Sequence, residues 1–243
     1  MTPQLIGPIA SGTIGASSTS MGAWFEITPA GGFPIPLDGF FLQIVQESAG
    51  YGVYFQIGIG ATPLNITTNF LYFQNQGYIQ NKILIPIFVP AGTSVSIRGF
   101  SGTGSPQSTI AQMFGLPAGS PSVIRKCSLL DGFFNGNYTG LPGFPLSNSL
   151  QLITTTRSDL VARNIITGTE VSSAPGTNYN VNIYAGSSVS DAVLLDSILQ
   201  WGNVNGYMQN NSQIWVDIPP GTNIYSDISI SSTYVNAWFN IFY

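Results

Sequence analysis

Residues 89–95 read VPAGTSV and residues 218–224 read IPPGTNI, and each stretch follows a run of alternating apolar residues. In both copies a glycine stands two positions after the first proline, where a type II turn requires positive φ at its third residue. Proline at or before the second turn position favours the same bend. Both stretches are therefore predicted to be equivalent corners between two strands. The predicted corner residues are Pro90, Gly92, Pro219, Pro220 and Gly221.

The surroundings of the two corners repeat as well. FQIGI at residues 55–59 matches YNVNI at residues 179–183, with an offset of 183 − 59 = 124. IAQMF at residues 110–114 matches VNAWF at residues 235–239, with an offset of 239 − 114 = 125. Three strands and one turn thus recur in the same order, which favours an internal duplication. The N-terminal strands of the two halves do not align from sequence alone.

Short alternating runs bounded by Gly, Pro, Asn and Ser recur along the chain, whereas helical periodicity is scarce. The fold class is therefore predicted as all-β, with two tandem antiparallel β-sandwich (jelly-roll-like) domains. We place them at residues 1–118 and 145–243, joined by a Gly/Pro-rich linker or arm at residues 119–144. One stretch, DAVLLDSILQW at residues 191–201, has near-helical apolar spacing and is interpreted as a short helix.

Charge is the most unusual property of the composition. Only 7% of the 243 residues are charged, against roughly 25% in ordinary soluble domains. A formal net charge of −4, with no basic residue before Lys82, argues against binding nucleic acid through its phosphates. The N-terminus lacks the basic and long apolar segments of a signal peptide, and the longest apolar run is broken by Pro86. We expect synthesis in a cytoplasm and no membrane span.

The residue types that usually carry catalysis are scarce. The chain has no His and one Cys, so nucleophile–base pairs and imidazole metal sites are not expected, and no cofactor or metal is predicted. Paired carboxylates remain, such as Asp191 with Asp196 or Asp217 with Asp227. We interpret these acids as groups that cap strands and solvate loops. The chain is therefore predicted not to be an enzyme.

Two sets of apolar and aromatic residues are candidates for binding. Leucines and phenylalanines in the linker are predicted to contact a partner or the other domain, or else to form a further strand; they are Leu129, Leu130, Phe133 and Phe134. Exposed aromatic rings can stack on sugars while Asn and Gln bind the hydroxyls. The candidate glycan contacts are Trp24, Trp201, Tyr207 and Trp215. A tryptophan in a β-sandwich more often belongs to the core.

The motif FQIGIGA at residues 55–61, followed by IFVPAGTSVSIR at residues 87–98, resembles a pattern of virion structural proteins of tailed bacteriophages. In that pattern an IGxGA strand precedes a strand that ends in IPAGT and, further on, an arginine. The second half keeps VDIPPGTNI but lacks the glycines and the counterpart of Arg98. The resemblance implies a non-enzymatic β-sandwich or jelly-roll component of a virus particle, located in the virion.

Three virion roles fit this expectation. They are a capsid decoration or cement protein, a collar or tail component, and a double jelly-roll coat protein of the kind found in tailless icosahedral viruses. In each role the expected partners are other copies of the chain and other virion proteins, with no nucleic acid and no membrane. The alternative is a glycan-binding adhesin module that recognises a host surface.

Overall fold

The chain divides into two compact units, Met1–Asp131 and Gly132–Tyr243. The computed structural model describes residues 5–46, 52–67, 71–74, 82–119, 127–134, 148–171, 178–201, 208–229 and 235–243. Within these ranges the regular elements are strands and a single 3-10 turn at Val189–Asp191. The same ranges contain no helix that is long and apolar enough to span a membrane. The predicted all-β class is confirmed.

The first unit is built from two antiparallel sheets. One has the order β1-β10-β4-β8, with β2 also paired to β10, and the other has the order β3-β9-β5-β6, with β7 also paired to β5. The strands are β1 (Leu5–Ile6), β2 (Ala10–Ile14), β3 (Phe25–Glu26), β4 (Leu37–Gln46), β5 (Gly52–Ile59), β6 (Leu64–Asn65), β7 (Leu71–Gln74), β8 (Lys82–Ile85), β9 (Val95–Ser101) and β10 (Gln107–Pro117).

The second unit also has two sheets, in the orders β11-β18-β13-β16 and β12-β17-β14-β15. Its first strand begins just before the boundary between the units. The strands are β11 (Leu130–Phe134), β12 (Gln151–Thr155), β13 (Ala162–Val171), β14 (Asn178–Gly186), β15 (Val193–Trp201), β16 (Met208–Ile218), β17 (Asn223–Ile228) and β18 (Val235–Phe242).

The two units have the same topology. Each has eight strand positions along the chain if β1 and β2 are taken as one interrupted strand and β6 and β7 as another. Both units then have the sheet orders 1-8-3-6 and 2-7-4-5. This is the jelly roll, an eight-stranded double sheet made of two Greek keys. The tandem β-sandwich prediction is therefore confirmed, with the same strand order in both halves.

Alternation places apolar side chains between the two sheets of each unit. Leu42 and Ile57 are buried in the first unit, and Val181 and Phe239 are buried in the second. Successive side chains of a strand point to opposite faces, so the remaining positions form the outer faces of the sheets. These outer faces are where the two units differ.

The two PxGT corners have the same geometry. Gly92 has φ 67° and Gly221 has φ 71°, in the left-handed region that the turn requires at this position. The N–H of Gly92 donates to the carbonyl of Phe33 at 2.8 Å, and the N–H of Gly221 donates to that of Arg157 at 3.0 Å. Each corner is thus held by the chain that follows the second strand position of its own unit.

The N-terminal strands that sequence comparison left unaligned are equivalent in the structure. β3 pairs with β9 at Phe25 and Ile97, and β12 pairs with β17 at Gln151 and Ser226. Ile97 and Ser226 differ by 226 − 97 = 129, the same offset as the corner glycines. Only a few residues of β3 are paired, so this strand is too short to be aligned by its sequence.

The register corrects one predicted offset. Ile57 of β5 faces Ile97 of β9, and Ile183 of β14 faces Ser226 of β17. The residue equivalent to Ile57 is therefore Ile183, an offset of 183 − 57 = 126 instead of 124. A slip of two residues keeps every side chain on the same face, so the alternating pattern cannot reveal it.

The helix predicted at residues 191–201 is wrong. This stretch forms the end of the 3-10 turn followed by strand β15, which pairs with β14. A bulge lets Ile183 face Asp196 while Tyr184 faces Leu194. An inserted residue shifts the alternation by one position, and this shift produces the apolar spacing that resembles a helix.

Part of the predicted linker, residues 119–144, has regular structure. β11 lies within it, and the division between the two units falls between Asp131 and Gly132. Upstream of β11, the N–H of Cys127 donates to the carbonyl of Pro86 at 2.8 Å. Residues 120–126 and 135–144 of the linker lie outside the described residues.

Candidate functional site

The motif residues of the first unit meet on the outer face of the sheet β3-β9-β5-β6. Gln56 and Arg98 are direct cross-strand neighbours. Nε and Nη2 of Arg98 both donate to Oε1 of Gln56, at 3.0 and 2.9 Å. Gln56 is only 6% exposed, so the guanidinium satisfies a buried carbonyl oxygen. We call Gln56, Arg98 and the adjacent Trp24 the first-unit row.

Trp24 covers this row. Its ring centroid lies 4.5 Å from Cζ of Arg98, a cation–π contact. A Cβ added at Gly58 would lie 3.0 Å from two atoms of the Trp24 ring and 2.7 Å from Cβ of Pro63. The indole therefore occupies the space that a side chain at Gly58 would fill. This explains why the FQIG motif has glycine at that position.

The second unit has a different row at the equivalent place. Asp227 is the equivalent of Arg98, since 227 − 98 = 129. Nδ2 of Asn182 donates to Oδ1 of Asp227 at 2.7 Å, and the hydroxyl of Tyr184 donates to Oδ2 at 3.2 Å. The hydroxyl of Ser197 donates to Oδ1 of Asn182 at 2.6 Å. We call Asn182, Asp227 and Tyr184 the second-unit row.

The electrostatics of the second-unit row follow from its geometry. Burial raises the pKa of Tyr184 above its usual value, and the charge of Asp227 raises it further. The tyrosine thus stays protonated and donates its hydrogen bond across the physiological range. Asp227 accepts from two side chains at once, so the row is a connected hydrogen-bond network.

The acids considered as catalytic pairs have separate structural partners. Asp217 lies on β16 and Asp227 lies on β17, in opposite sheets of the second unit. Asp191 accepts hydrogen bonds from the backbone and hydroxyl groups of Ser187 and Ser188. Asp196 accepts a hydrogen bond from the hydroxyl of Ser212. These bonds hold the turn that follows β14 and link β15 to β16.

No metal centre is formed by the part of the chain that the structure describes. Within it, no group of three or more His, Cys, Asp or Glu side chains could hold an ion.

The linker residues named as partner contacts differ in exposure. Leu130 is fully buried, and its N–H donates to the carbonyl of Ile66 at 3.0 Å. Leu129 is half-buried. Phe133 and Phe134 belong to β11, but their side chains lie outside the described part of the structure. Leu130 is therefore part of a core and unavailable to a separate protein.

Of the four candidate glycan contacts, the side chains of Trp24 and Trp215 are described, and they belong to different units. Trp24 is half-buried and contacts Arg98, whereas Trp215 on β16 is 38% exposed. Trp201 ends β15, and its side chain is not among those described. Tyr207 lies outside the described residues.

The outer face of the sheet β1-β10-β4-β8 is a surface that the sequence interpretation missed. Ile9 is 70% exposed and Ile110 is 47% exposed. Beside them lies a shallow groove of about 420 Å³. A second one, of about 160 Å³, adjoins it between Ile9, Val45 and Gln112. The alternation within residues 110–114 was the available signal, because it leaves Ile110, Gln112 and Phe114 on the outside.

No protein-family model matches this chain, and no curated protein sequence matches it. Among solved structures it is similar to the N-terminal CBM22-1–CBM22-2 tandem domain of Xyn10C from Paenibacillus barcinonensis. The identity is 8%, the match covers 96% of this chain and 86% of that chain, and the TM-score is 0.28. The fold assignment rests on the strand orders of the two units.

Proposed function

We propose that this chain is a non-enzymatic structural protein of a virus particle that assembles with copies of itself and with other virion proteins. The observation that carries the proposal is the tandem of two jelly rolls with the same strand order. Jelly rolls recur in viral capsid proteins and in lectins. The motif resemblance and the scarcity of charged residues favour the first of these classes.

The scarcity of charge supports assembly. With 7% charged residues and a net charge of −4, copies of the chain repel one another weakly. Contacts between such surfaces depend on apolar burial and neutral hydrogen bonds, which salt screens little. A particle component built in this way would hold together over a wide range of ionic strength.

Among the virion roles, a position in or on the capsid lattice suits the duplicated fold. Homo-oligomers usually have closed symmetry, and a trimer of this chain would carry six similar jelly rolls. Such a repeat can occupy a site of a capsid lattice, as a coat or decoration protein does. A collar or tail component would instead form a ring or trimer without a lattice.

The proposal is tested by the mass of the purified full-length chain in solution. We expect size-exclusion chromatography with light scattering to give a discrete oligomer, unchanged between low salt and 1 M NaCl within about 10% of mass. Negative-stain microscopy of the same fractions then separates closed shells and sheets from isolated rings. A monomer at every concentration and salt would contradict the proposal.

A glycan-binding role is the second candidate, and the second-unit row favours it. This row gathers a carboxylate, an amide and a phenol on one outer face, with Asp227, Asn182 and Tyr184 in mutual contact. Sugars bind to such groups beside aromatic rings. A glycan array tests this role. Binding that is lost in Asp227→Ala but kept in Asp217→Ala would support it, and an array without signal would contradict it.

A further inference from the structure

The outer face of the sheet β1-β10-β4-β8 is apolar along its centre. Val45 faces Ile110 across the β4–β10 ladder, and Phe41 faces Phe114 in the same ladder. These four side chains are half-buried or exposed. Directly opposed side chains are close enough to touch, so each pair forms an apolar patch, and the two patches lie along one stripe that a single neutral pair interrupts.

The charge on this face is low and is already engaged. Lys82 of β8 places its Nζ 3.5 Å from the centroid of the Phe114 ring. This cation–π contact holds the ammonium group against the sheet. Between the two apolar pairs lies the cross-strand pair of Gln43 and Gln112, whose side chains are neutral. Two copies of this face would therefore approach each other with little repulsion.

The shape of the face is self-complementary. Ile9, at 70% exposure, protrudes between β1 and β2, next to the grooves that Val45 and Ile110 line. In a two-fold contact the same patch serves both partners, so a knob on one copy meets the hole on the other. A knob and a hole side by side on one face meet this requirement.

The area is sufficient for a dimer. Four strand positions about 4.8 Å apart, with a mean length of about eight residues at ~3.4 Å each, cover roughly 520 Å². Two copies would bury roughly 1,040 Å², just above the approximately 1,000 Å² that a specific interface needs. The contact is therefore expected to be a modest one that a lattice or ring would reinforce.

We infer that this face binds a second copy of the same chain through a two-fold contact in which Ile9 of each copy enters the groove beside Ile110 of the other. The inference rests on the proposed assembly function and names the surface that it uses. Exposed apolar patches of this kind mark interaction sites on soluble proteins. The apolar stripe and its neutral surroundings suit a copy of themselves.

The test uses Ile110→Lys in the full-length chain, with Leu64→Lys as the matched control. Leu64 on β6 is 72% exposed and lies in the other sheet of the same unit. By sedimentation velocity over a concentration series, we expect Ile110→Lys to weaken association at least about tenfold or to yield a smaller oligomer, because a charge in an apolar contact is costly to desolvate. Leu64→Lys should associate like the parent.

The possible results separate the inference from the proposed function. If the parent associates and Ile110→Lys associates equally well, the inference fails while the assembly proposal stands. If the parent is a monomer throughout, both fail. Thermal melts of each variant verify that the lysine leaves the fold intact.

A mixing experiment tests the two-fold arrangement. Ile9→Asp and Ile110→Lys are each expected to associate weakly alone, whereas their equimolar mixture should recover association, because in a mixed pair the two substituted sites face each other with opposite charges. Recovery supports the same-face contact. A mixture as weak as its components would overturn the two-fold geometry.

Discussion

The two jelly rolls carry opposite charges at equivalent positions of their equivalent sheets. The first has Arg98 bound to Gln56, and the second has Asp227 bound to Asn182. The offsets are 227 − 98 = 129 and 182 − 56 = 126, which match the register of the paired strands. Both members of the pair differ together, so each unit keeps a satisfied hydrogen bond although the sign of the charge is reversed.

The aromatic ring in each row comes from a different part of the chain. In the first unit Trp24 lies over Gly58, whereas in the second unit the residue equivalent to Gly58 is Tyr184, since 184 − 58 = 126. Each row thus has one large ring, supplied either by the neighbouring segment or by the strand itself. The choice of residue type is restricted far more on the inner face of the sandwich than on its outer face.

The largest effect is expected from filling the space at Gly58. In Gly58→Leu the new side chain would collide with Pro63 and Trp24, and overpacking of this kind costs about 1–3 kcal/mol. Tyr184→Leu at the equivalent position should cost less, because that site already holds a large side chain. Urea unfolding followed by tryptophan fluorescence measures both. A smaller loss for Gly58→Leu would contradict the comparison.

Replacing the corner glycine should destabilise the two units by similar amounts. Gly92→Val and Gly221→Val each force a β-branched residue to positive φ, which costs about 1–2 kcal/mol. Neither new Cβ would meet a close neighbour, so the cost is conformational. Asn tolerates this region better, and Gly→Asn at either corner should lose less. Unchanged denaturation midpoints in both Val variants would refute the turn assignment.

Breaking the first-unit row should give a smaller loss. Arg98→Met leaves Oε1 of Gln56 without its two donors in a site that is 6% exposed. A buried polar group that loses its hydrogen-bond partners lowers the free energy of unfolding by about 1 kcal/mol or more. Adding Gln56→Leu to Arg98→Met should restore part of the stability, because no polar group is then stranded. A double mutant less stable than Arg98→Met would count against this explanation.

The smallest effect concerns pH and the turn that follows the fourth strand position. In the first unit this turn uses Gly60 at φ 102°, whereas in the second it uses the Asp191 carboxylate. Hydrogen bonds from the Ser187 and Ser188 hydroxyls, then from the Ser188 N–H, hold the pKa of Asp191 well below its usual value. A lowered pKa stabilises the fold above the unfolded value of about 3.9, and this contribution is lost as the pH falls through the folded value.

Asp191→Asn should therefore melt at a slightly lower temperature than the parent at pH 6, and the difference should shrink as the pH falls below about 4. Gly60→Ala in the first unit serves as the control. Its melting temperature should fall by a similar amount at every pH, because strain at positive φ does not titrate. A gap between parent and Asp191→Asn that widens in acid would contradict the role of the carboxylate.

Many of the strand positions were predictable from alternation, but β15 resembled a helix and β13 was not predictable. Asn164, Ile165, Ile166 and Thr167 are all buried, so both faces of this strand are covered. Strands covered on both faces lose the apolar–polar alternation that sequence analysis relies on. The corner glycines were predictable because a turn at positive φ strongly selects the residue type.

The outer-face rows were beyond the reach of sequence analysis. Trp24, Gln56 and Arg98 are far apart in the chain, and only the register of three strands brings them together. A two-residue slip would have kept the alternation yet paired different residues. Trp24 was identified as an aromatic of interest, but its position over Gly58 follows from strand pairing that sequence does not specify.

The order of the strands also determines when each unit can fold. β10 and β18 come last in their units, yet each lies inside its sheet, between β1 and β4 or between β11 and β13. Leu5 pairs with Gly115, more than 100 residues further along the chain. Pairings between such distant segments slow folding. During synthesis, neither jelly roll can complete its sheets until its final strand has left the ribosome. Until then its strands have unpaired edges that can associate with other nascent chains.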